Sequence, residues 1–404
     1  MRILIVNKFL YPNGGSETYI FKLGEQLEKN GNMVQYFGME DKRNIVGNAA
    51  GCYTKNMDFH TGKLARLLYP FKIIYSQEAR KLIRKVLDDF NPDVVHLNNF
   101  NFQITPSIIY EINKYRKKKG RKVKIVFTAH DYQFICPNHM LYCPKTEKNC
   151  EKCIDGDYFY CVEGGCIHNS KAKSILGAFE GYLYKWLRTY RYIDVVICPS
   201  MFIKEKLDHN KELKGKTIVL YNFAAADGLT GNNLNNRLQK EDYMIYFGRY
   251  TKEKGIEALI KVCSKMPDIR FVFAGRGSLE EKINQVENIE NRGFITGEKL
   301  EALIQRAALS IYPSEWYENC PFSVMESIQY GTPVLGADIG GIPELIDEGI
   351  TGELFESGNE MVLEEKIKSL WKNKNTLKKY QENCLEKKFL SVEEYCRILT
   401  DEVY

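Results

Sequence analysis

The segments FGRYTKEKG and ENCPFSVME hold two cations and two carboxylates at spacings that could do chemistry in this 404-residue chain. Arg249 follows an apolar run, and Lys254 stands where the next helical pattern begins. Open α/β folds bind ligands at the carboxyl edge of their strands, so two cations there suit a diphosphate. Unit charges about 4 Å apart attract by about 4 kcal/mol at an effective dielectric of about 20. Plain surface solvation would account for the same pair. Glu318 and Glu326 stand eight positions apart (326 − 318), a little over two helical turns. One can sit in a loop above a helix and the other on its ligand-facing side, accepting hydrogen bonds from sugar or ribose hydroxyls. The alternative is a pair of exposed acids drawn to a helix N-terminus by its dipole. Gly14 and Gly15 follow the first apolar run and precede Ser16, an N-cap residue, and a helical pattern from Glu17 to Lys29. A backbone so open at a helix start can take an anion, or it can be a tight turn.

These residues need a scaffold. Short β-rich runs alternate with helical patterns, the rhythm of parallel α/β sheets. The first half predicts strands at 2–6, 33–37, 94–97, 124–128, 195–198 and 217–221. The second predicts strands at 243–247, 270–274, 292–295, 309–312, 333–336 and 352–355. Two Rossmann-like domains follow, in keeping with a length that suits two cores. The first is expected at 1–225, a Gly- and Asn-rich linker at 226–240, the second at 241–385, and an amphipathic terminal helix at 386–404. At 44% hydrophobic and 27% charged, the composition is that of a soluble globular protein. No apolar run approaches the roughly 18 residues of a spanning helix. The net charge of +5 hides a division. Residues 1–225 carry 35 Lys and Arg against 22 Asp and Glu (35 − 22 = +13), and the remainder 22 against 30 (22 − 30 = −8).

In this order, GGSE, an HD after a first-half strand, FGRYTKEKG, FAGRGS, E-x7-E and GTPVLGADIGGIPE, the chain resembles the retaining family 4 glycosyltransferases of the GT-B fold. The resemblance covers nearly the whole chain. It implies two Rossmann-like domains facing across a cleft, with a C-terminal helix returning to the first. It implies transfer of a sugar from a nucleotide-sugar donor, UDP- ahead of GDP-, to a saccharide or lipid-linked acceptor, with retention and without a catalytic metal. A bacterial surface polysaccharide is the expected product. Arg249 and Lys254 match the pair that holds the diphosphate, and Glu318 the acid on the donor sugar. The segment Asn319, Cys320, Pro321, Phe322 and Ser323 matches the backbone beside sugar and phosphate. Glu326 matches the acid on the ribose, and Gly14 and Gly15 the first-domain glycines near the phosphates. His130 matches the histidine that approaches the transferred sugar; a structural histidine at a sheet edge is its plainer reading. ENCPFS replaces the family's EGFG-like loop, so sugar preference cannot be carried over. The hinge after the sixth strand reads YNFAAAD, where only Asn222 is recognisable. A nucleotide-sugar epimerase and an inactive sugar-nucleotide-binding scaffold share the plan and stay open as alternatives.

Six cysteines lie in an insertion at 136–166. Cys150 and Cys153 form C-x2-C, and Cys161 and Cys166 form C-x4-C. Four thiolates so spaced can close a structural zinc site, with Cys136, Cys143, His139 and His168 as substitutes. Free thiols and disulfides are the other readings. The opening MRILIV reads as a first strand rather than a leader, so reduced thiols and a cytoplasmic setting are expected. Two basic stretches, 114–124 and the aromatic-rich 172–191, could meet anionic lipid on the cytoplasmic face of a membrane. A solvated helix end and a core-facing helix are their plainer readings. No nucleic-acid reader motif accompanies the charge, and no nucleic-acid partner is expected.

Overall fold

The computed structural model describes residues 1–55, 73–120, 122–224 and 238–404. They form two compact units, one of Met1–Asn222 with Val392–Tyr404, the other of Phe223–Ser391.

The first unit runs β1 (Arg2–Val6), α1 (Gly15–Lys29), β2 (Met33–Phe37), α2 (Gln77–Phe90), β3 (Val94–Leu97), α3 (Ser107–Lys119) and β4 (Lys124–Thr128). A small hairpin follows, β5 (Tyr142–Cys143) with β6 (Lys148–Asn149). Then come α4 (Phe159–Gly164), α5 (Lys171–Trp186), β7 (Val195–Cys198), α6 (Met201–Leu207) and β8 (Thr217–Val219). Among the described residues the main sheet has the order β2-β1-β3-β4-β7-β8, every pairing parallel. Ile3, Leu4, Ile5 and Val6 are fully buried, as central strands of a sheet covered on both faces must be. The helices close each face by an apolar stripe. α2 starts where Ser76 Oγ accepts from the Ala79 amide, buries Ala79, Ile83, Val86, Leu87 and Phe90, and stops at Asn91 in the left-handed region.

The second unit runs β9 (Met244–Arg249), α7 (Ile256–Ser264), β10 (Phe271–Arg276), α8 (Glu280–Ile283), β11 (Ile289–Asn291), α9 (Glu298–Arg306), β12 (Leu309–Tyr312) and α10 (Phe322–Gln329). It continues through β13 (Val334–Asp338), β14 (Gly352–Glu356), α11 (Glu360–Lys372) and α12 (Lys374–Glu386). Its parallel sheet has the order β11-β10-β9-β12-β13-β14. The chain then returns to the first unit as α13 (Val392–Ile398) and a last π-helical turn, Leu399–Val403. There Tyr395, Cys396 and Leu399 are fully buried. The Tyr395 and Tyr19 hydroxyls meet at 2.9 Å, and the Cys396 thiol lies 3.8 Å from the Leu23 carbonyl.

Two local expectations shift. The strand expected at 292–295 is β11, three residues earlier (292 − 289). Ile289 pairs in register with Phe271, and Gly293, with φ +64°, already turns the chain away. Ser16 does not cap α1: Gly14 holds that position, and Ser16 instead donates to Glu17. The expected linker, 226–240, lies largely outside the described residues.

Candidate functional site

In the second sheet the strand order reverses between β9 and β12. Crevices at the carboxyl ends of such strands are where α/β sheets take ligands. Arg249 is the last residue of β9, its side chain 59% exposed and its guanidinium 3.6 Å from Glu253. It also lies 5.8 Å from the centroid of the Trp316 ring. Six residues on, Gly255 has φ +70°, and a Cβ there would come within 1.7 Å of the Pro313 carbonyl oxygen. That close approach, open only to glycine, brings Lys254 against the loop after β12. Lys254 Nζ donates to Glu318 Oε1, which also accepts from Trp316 Nε1 at 2.7 Å and Ser314 Oγ at 3.2 Å. All three donors converge on Oε1, so Oε2 is the oxygen that can accept from a ligand hydroxyl.

Glu318 is buried. Burial pushes its carboxyl up, but the Lys254 ammonium and the three hydrogen bonds together outweigh that and hold it below the ordinary glutamate value. Its backbone is clamped from the other side. Gly341 N donates to the Glu318 carbonyl at 2.7 Å, and a Cβ on Gly340, φ +60°, would lie 2.4 Å from that same oxygen. Glu326 sits half-buried on α10. Burial first, then Tyr246, Glu318 and Glu326 in turn raise the pKa of the Tyr312 hydroxyl at the end of β12, so both carboxylates surround one strand end. Pro321 is the N-cap of α10, and Phe322 and Ser323 form its first turn. Asn319 is half-buried beside them. The Cys320 side chain turns inward, its sulfur 3.9 Å from that of Met325, so only its backbone can face a ligand.

The first sheet reverses between β1 and β3. Gly14, Gly15 and Ser16 stand at the end of β1's loop, and the buried Glu17 accepts from Asn7 Nδ2 at 2.9 Å and Ser16 Oγ at 3.0 Å. Asn99 after β3 donates to Ser16 and, through its amide, to Asn7. Gly14 is extended, φ −176°, which any residue adopts, so its backbone shape is no evidence for a ligand. His130 lies two residues beyond β4, partly exposed, with Nε2 2.9 Å from Asn98 Oδ1. Its ring meets Tyr19 edge-on at 5.0 Å. Desolvation lowers its pKa to about 3, so the imidazole is neutral at physiological pH. Behind it, His96 is fully buried and also lowered to about 3 by burial and by His130. Its nitrogens stand 2.7 Å from Thr128 Oγ1 and 2.6 Å from the Tyr404 hydroxyl. Sequence reading missed Glu17, Asn98 and Asn99, which local pattern presents as ordinary polar residues. It also missed the clamp of Gly340 and Gly341 on Glu318, for which GGIPE was the available signal.

Among the described residues no group of three His, Cys, Asp or Glu is arranged so that it could hold a metal ion, the insertion's cysteines Cys150, Cys153, Cys161 and Cys166 included. Cys143 joins Cys153, Cys161 and Cys166 in an apolar cluster with Tyr158 and Ala178, while Cys150 packs at its edge. All are free thiols. A hydrogen bond with Cys161 and then burial raise the Cys166 thiol, and burial raises Cys153.

The family described as Glycosyltransferase Family 4 matches residues 13–227, and that described as Glycosyl transferases group 1 matches residues 233–387. An uncharacterised glycosyltransferase of Methanocaldococcus jannaschii is 30% identical over 234 residues, covering 55% of this chain and 63% of that protein. A 42.6 kDa protein of the Klebsiella pneumoniae cps region is 24% identical across 85% of this chain and 87% of its own length. Among solved structures, Anabaena HepE in complex with UDP superposes with a TM-score of 0.65 at 14% identity, covering 99% of each chain. The sucrose-phosphate synthase of Thermosynechococcus elongatus gives 0.67 at 15% identity, covering 98% of this chain and 97% of that one. These structures share the GT-B fold.

Proposed function

The chain belongs to glycosyltransferase family 4, and on that premise we propose that it moves a sugar from a UDP-sugar to a saccharide or lipid-linked acceptor. Anomeric configuration is retained, and the product is a surface polysaccharide assembled on the cytoplasmic face of a membrane. The convergence of Arg249, Lys254 and Glu318 at the reversal of the second sheet carries this reading. The complexes of HepE with UDP and with UDP-glucose support the choice of base, and the cps-region relative supports the setting.

The chemistry follows from the side chains. When the bond from the sugar's C1 to the donor phosphate breaks, its electron pair goes to the phosphate oxygen. Arg249 and Lys254 stabilise that charge where it develops. The acceptor oxygen forms the new bond to C1 on the face the phosphate leaves, and the acceptor's proton passes to a phosphate oxygen. Side-chain cations supply the needed positive charge, so this step uses no metal ion. Glu318 Oε2 accepts from a sugar hydroxyl, Glu326 from the ribose, and the α10 N-terminus at Phe322 and Ser323 faces phosphate. The backbone of Gly14 and Gly15 serves the donor phosphates. Neutral His130 orients the transferred sugar by a hydrogen bond rather than by charge.

Thermal unfolding with UDP, GDP and ADP tests the reading, because a ligand of the native state raises its midpoint by mass action. UDP is expected to raise it, and Arg249→Ala or Glu326→Ala to abolish the rise. A midpoint that responds to GDP or ADP but not UDP, or an Arg249→Ala protein that responds as the wild type does, refutes the assignment.

A further inference from the structure

Six of the fifteen large apolar side chains exposed among the described residues fall within 159–186: Phe159, Tyr160, Ile175, Phe179, Tyr182 and Trp186. The last four are spaced 4, 3 and 4 residues apart along α5, which is one stripe of a helix. The opposite side of α5 is buried through Ser174, Gly177, Ala178, Glu180 and Tyr184, with Ala178 packed into the cysteine cluster and Tyr184 donating to the Ile74 carbonyl. A Cβ on Gly177 would lie 2.4 Å from the Ile167 side chain, and one on Gly181 2.6 Å from the Tyr158 ring. The helix therefore cannot turn to bury its apolar stripe, and Trp186 remains 77% exposed. Tyr182 joins the stripe to α4, since its hydroxyl accepts from the Phe159 amide at 3.1 Å and donates to Asp157 at 2.7 Å.

The rim of this patch is basic. Lys171, Lys173, Lys185, Arg188 and Arg191 stand along and just beyond α5, and the Lys152 ammonium lies 5.8 Å over the Tyr160 ring. The one acid of α5, Glu180, is buried on the other side, where burial raises its pKa to about 8. On the α4 side stand the acids Asp155, Asp157 and Glu163, Asp155 paired with His209 and Asp157 accepting from Tyr182. Among the described residues no helix is long and apolar enough to cross a membrane. A short helix with aromatic residues out and cations around them suits the plane of a headgroup interface, where Trp and Tyr place an apolar body and a polar tip.

We propose that the α4–α5 face, centred on Phe179, Tyr182 and Trp186, docks on an anionic lipid bilayer. A second copy of the chain fits less well. A two-fold contact sets the same patch against itself and brings Lys171, Lys185 and Arg188 towards their own counterparts. An anionic surface instead complements the whole rim. The proposal names the surface at which a lipid-linked acceptor would be met, and it rests on the transferase reading only to that extent.

Sedimentation of the full chain with phosphatidylcholine vesicles, with and without phosphatidylglycerol, tests it without donor or acceptor. The wild type is expected to bind the anionic vesicles at least about tenfold more tightly, and less so as salt screens the rim. Phe179→Ser with Trp186→Ser should cost about tenfold by removing apolar contact, and Lys171→Glu with Arg188→Glu a comparable factor by removing charge. All four positions are exposed, and a retained UDP-induced thermal shift shows that each variant is folded with its donor site intact. That same shift reports the donor reading separately. Equal binding to both vesicle types overturns the proposal, as does wild-type binding by both variants. So does light scattering that finds a lipid-free dimer which Phe179→Ser with Trp186→Ser converts to monomer.

Discussion

At the reversal of the first sheet the polar groups are neutral or satisfied within the protein: Asn7, Ser16, Asn98 and Asn99, with Glu17 buried among them and His130 held uncharged. At the reversal of the second, charge is the theme, with Arg249 exposed and Lys254 sharing Glu318 with an indole and a hydroxyl. The same architecture thus offers one edge suited to hydroxyl-rich neutral groups and one suited to a diphosphate. Elementary electrostatics explains the division. An exposed cation keeps its hydration until a phosphate displaces it, whereas a histidine lacking a nearby anion loses its proton on burial.

The comparison breaks first at Lys254. Lys254→Ala leaves the Glu318 carboxylate buried without its cation, and a loss of about 3 to 5 kcal/mol in denaturant unfolding is expected. Adding Glu318→Gln should restore most of the stability but not the UDP-induced thermal shift. An unchanged unfolding midpoint in Lys254→Ala would show that the pair does not bear on this edge. Next in size is His130→Ala, expected to lower kcat by about 10²- to 10³-fold while the UDP shift stays at its wild-type value. Because the His130 pKa is lowered to about 3, wild-type kcat/KM should lack a break near pH 6.5, the ordinary histidine value. A break there that His130→Ala removes would make the histidine a titrating group and erase the contrast.

The smallest effect sharpens the contrast within the first unit. The raised pKa of Glu180, about 8, means the folded chain keeps a proton that the unfolded chain releases above about pH 4.3. Its contribution to stability is therefore full at low pH, declines as pH rises, and is gone once pH passes about 8. Glu180→Gln should be more stable than the wild type at pH 8 by on the order of 2 kcal/mol, and nearly equal to it at pH 4. Parallel pH–stability curves for the two proteins would place the carboxyl in water.

Much of this was legible from residue order. β1, β2, β3, β4, β7 and β12 fall at their expected bounds, because runs such as ILIV and VVIC are buried on both faces and have no competing pattern. β11 did not, since Ile289 precedes a charged, turn-prone stretch whose register only Phe271 fixes. Arg249, Lys254 and Glu318 announce themselves by type and spacing. That three donors would share one oxygen of Glu318 could not be read, because Lys254 reaches it from 64 residues away and Ser314 and Trp316 reach it only through the fold of the loop they share with it. His96 and Tyr404 are 308 residues apart, a separation no local pattern encodes. The helix at 171–186 was visible, but which side it exposed depended on Ile167 and Tyr158 filling the space beside two glycines.

The return of α13 to the first unit has a consequence for the order in which the protein is made. The ribosome delivers residues 1–222 long before Tyr395 and Tyr404, so the nascent first unit waits through the whole synthesis of the second with Tyr19 and His96 bonded to Thr128 but without Tyr395 and Tyr404 beside them. A polypeptide that stops short of residue 392 can complete its second sheet yet never finish the support behind His130. Translation to the last turn is thereby built into the assembly of this edge of the first sheet.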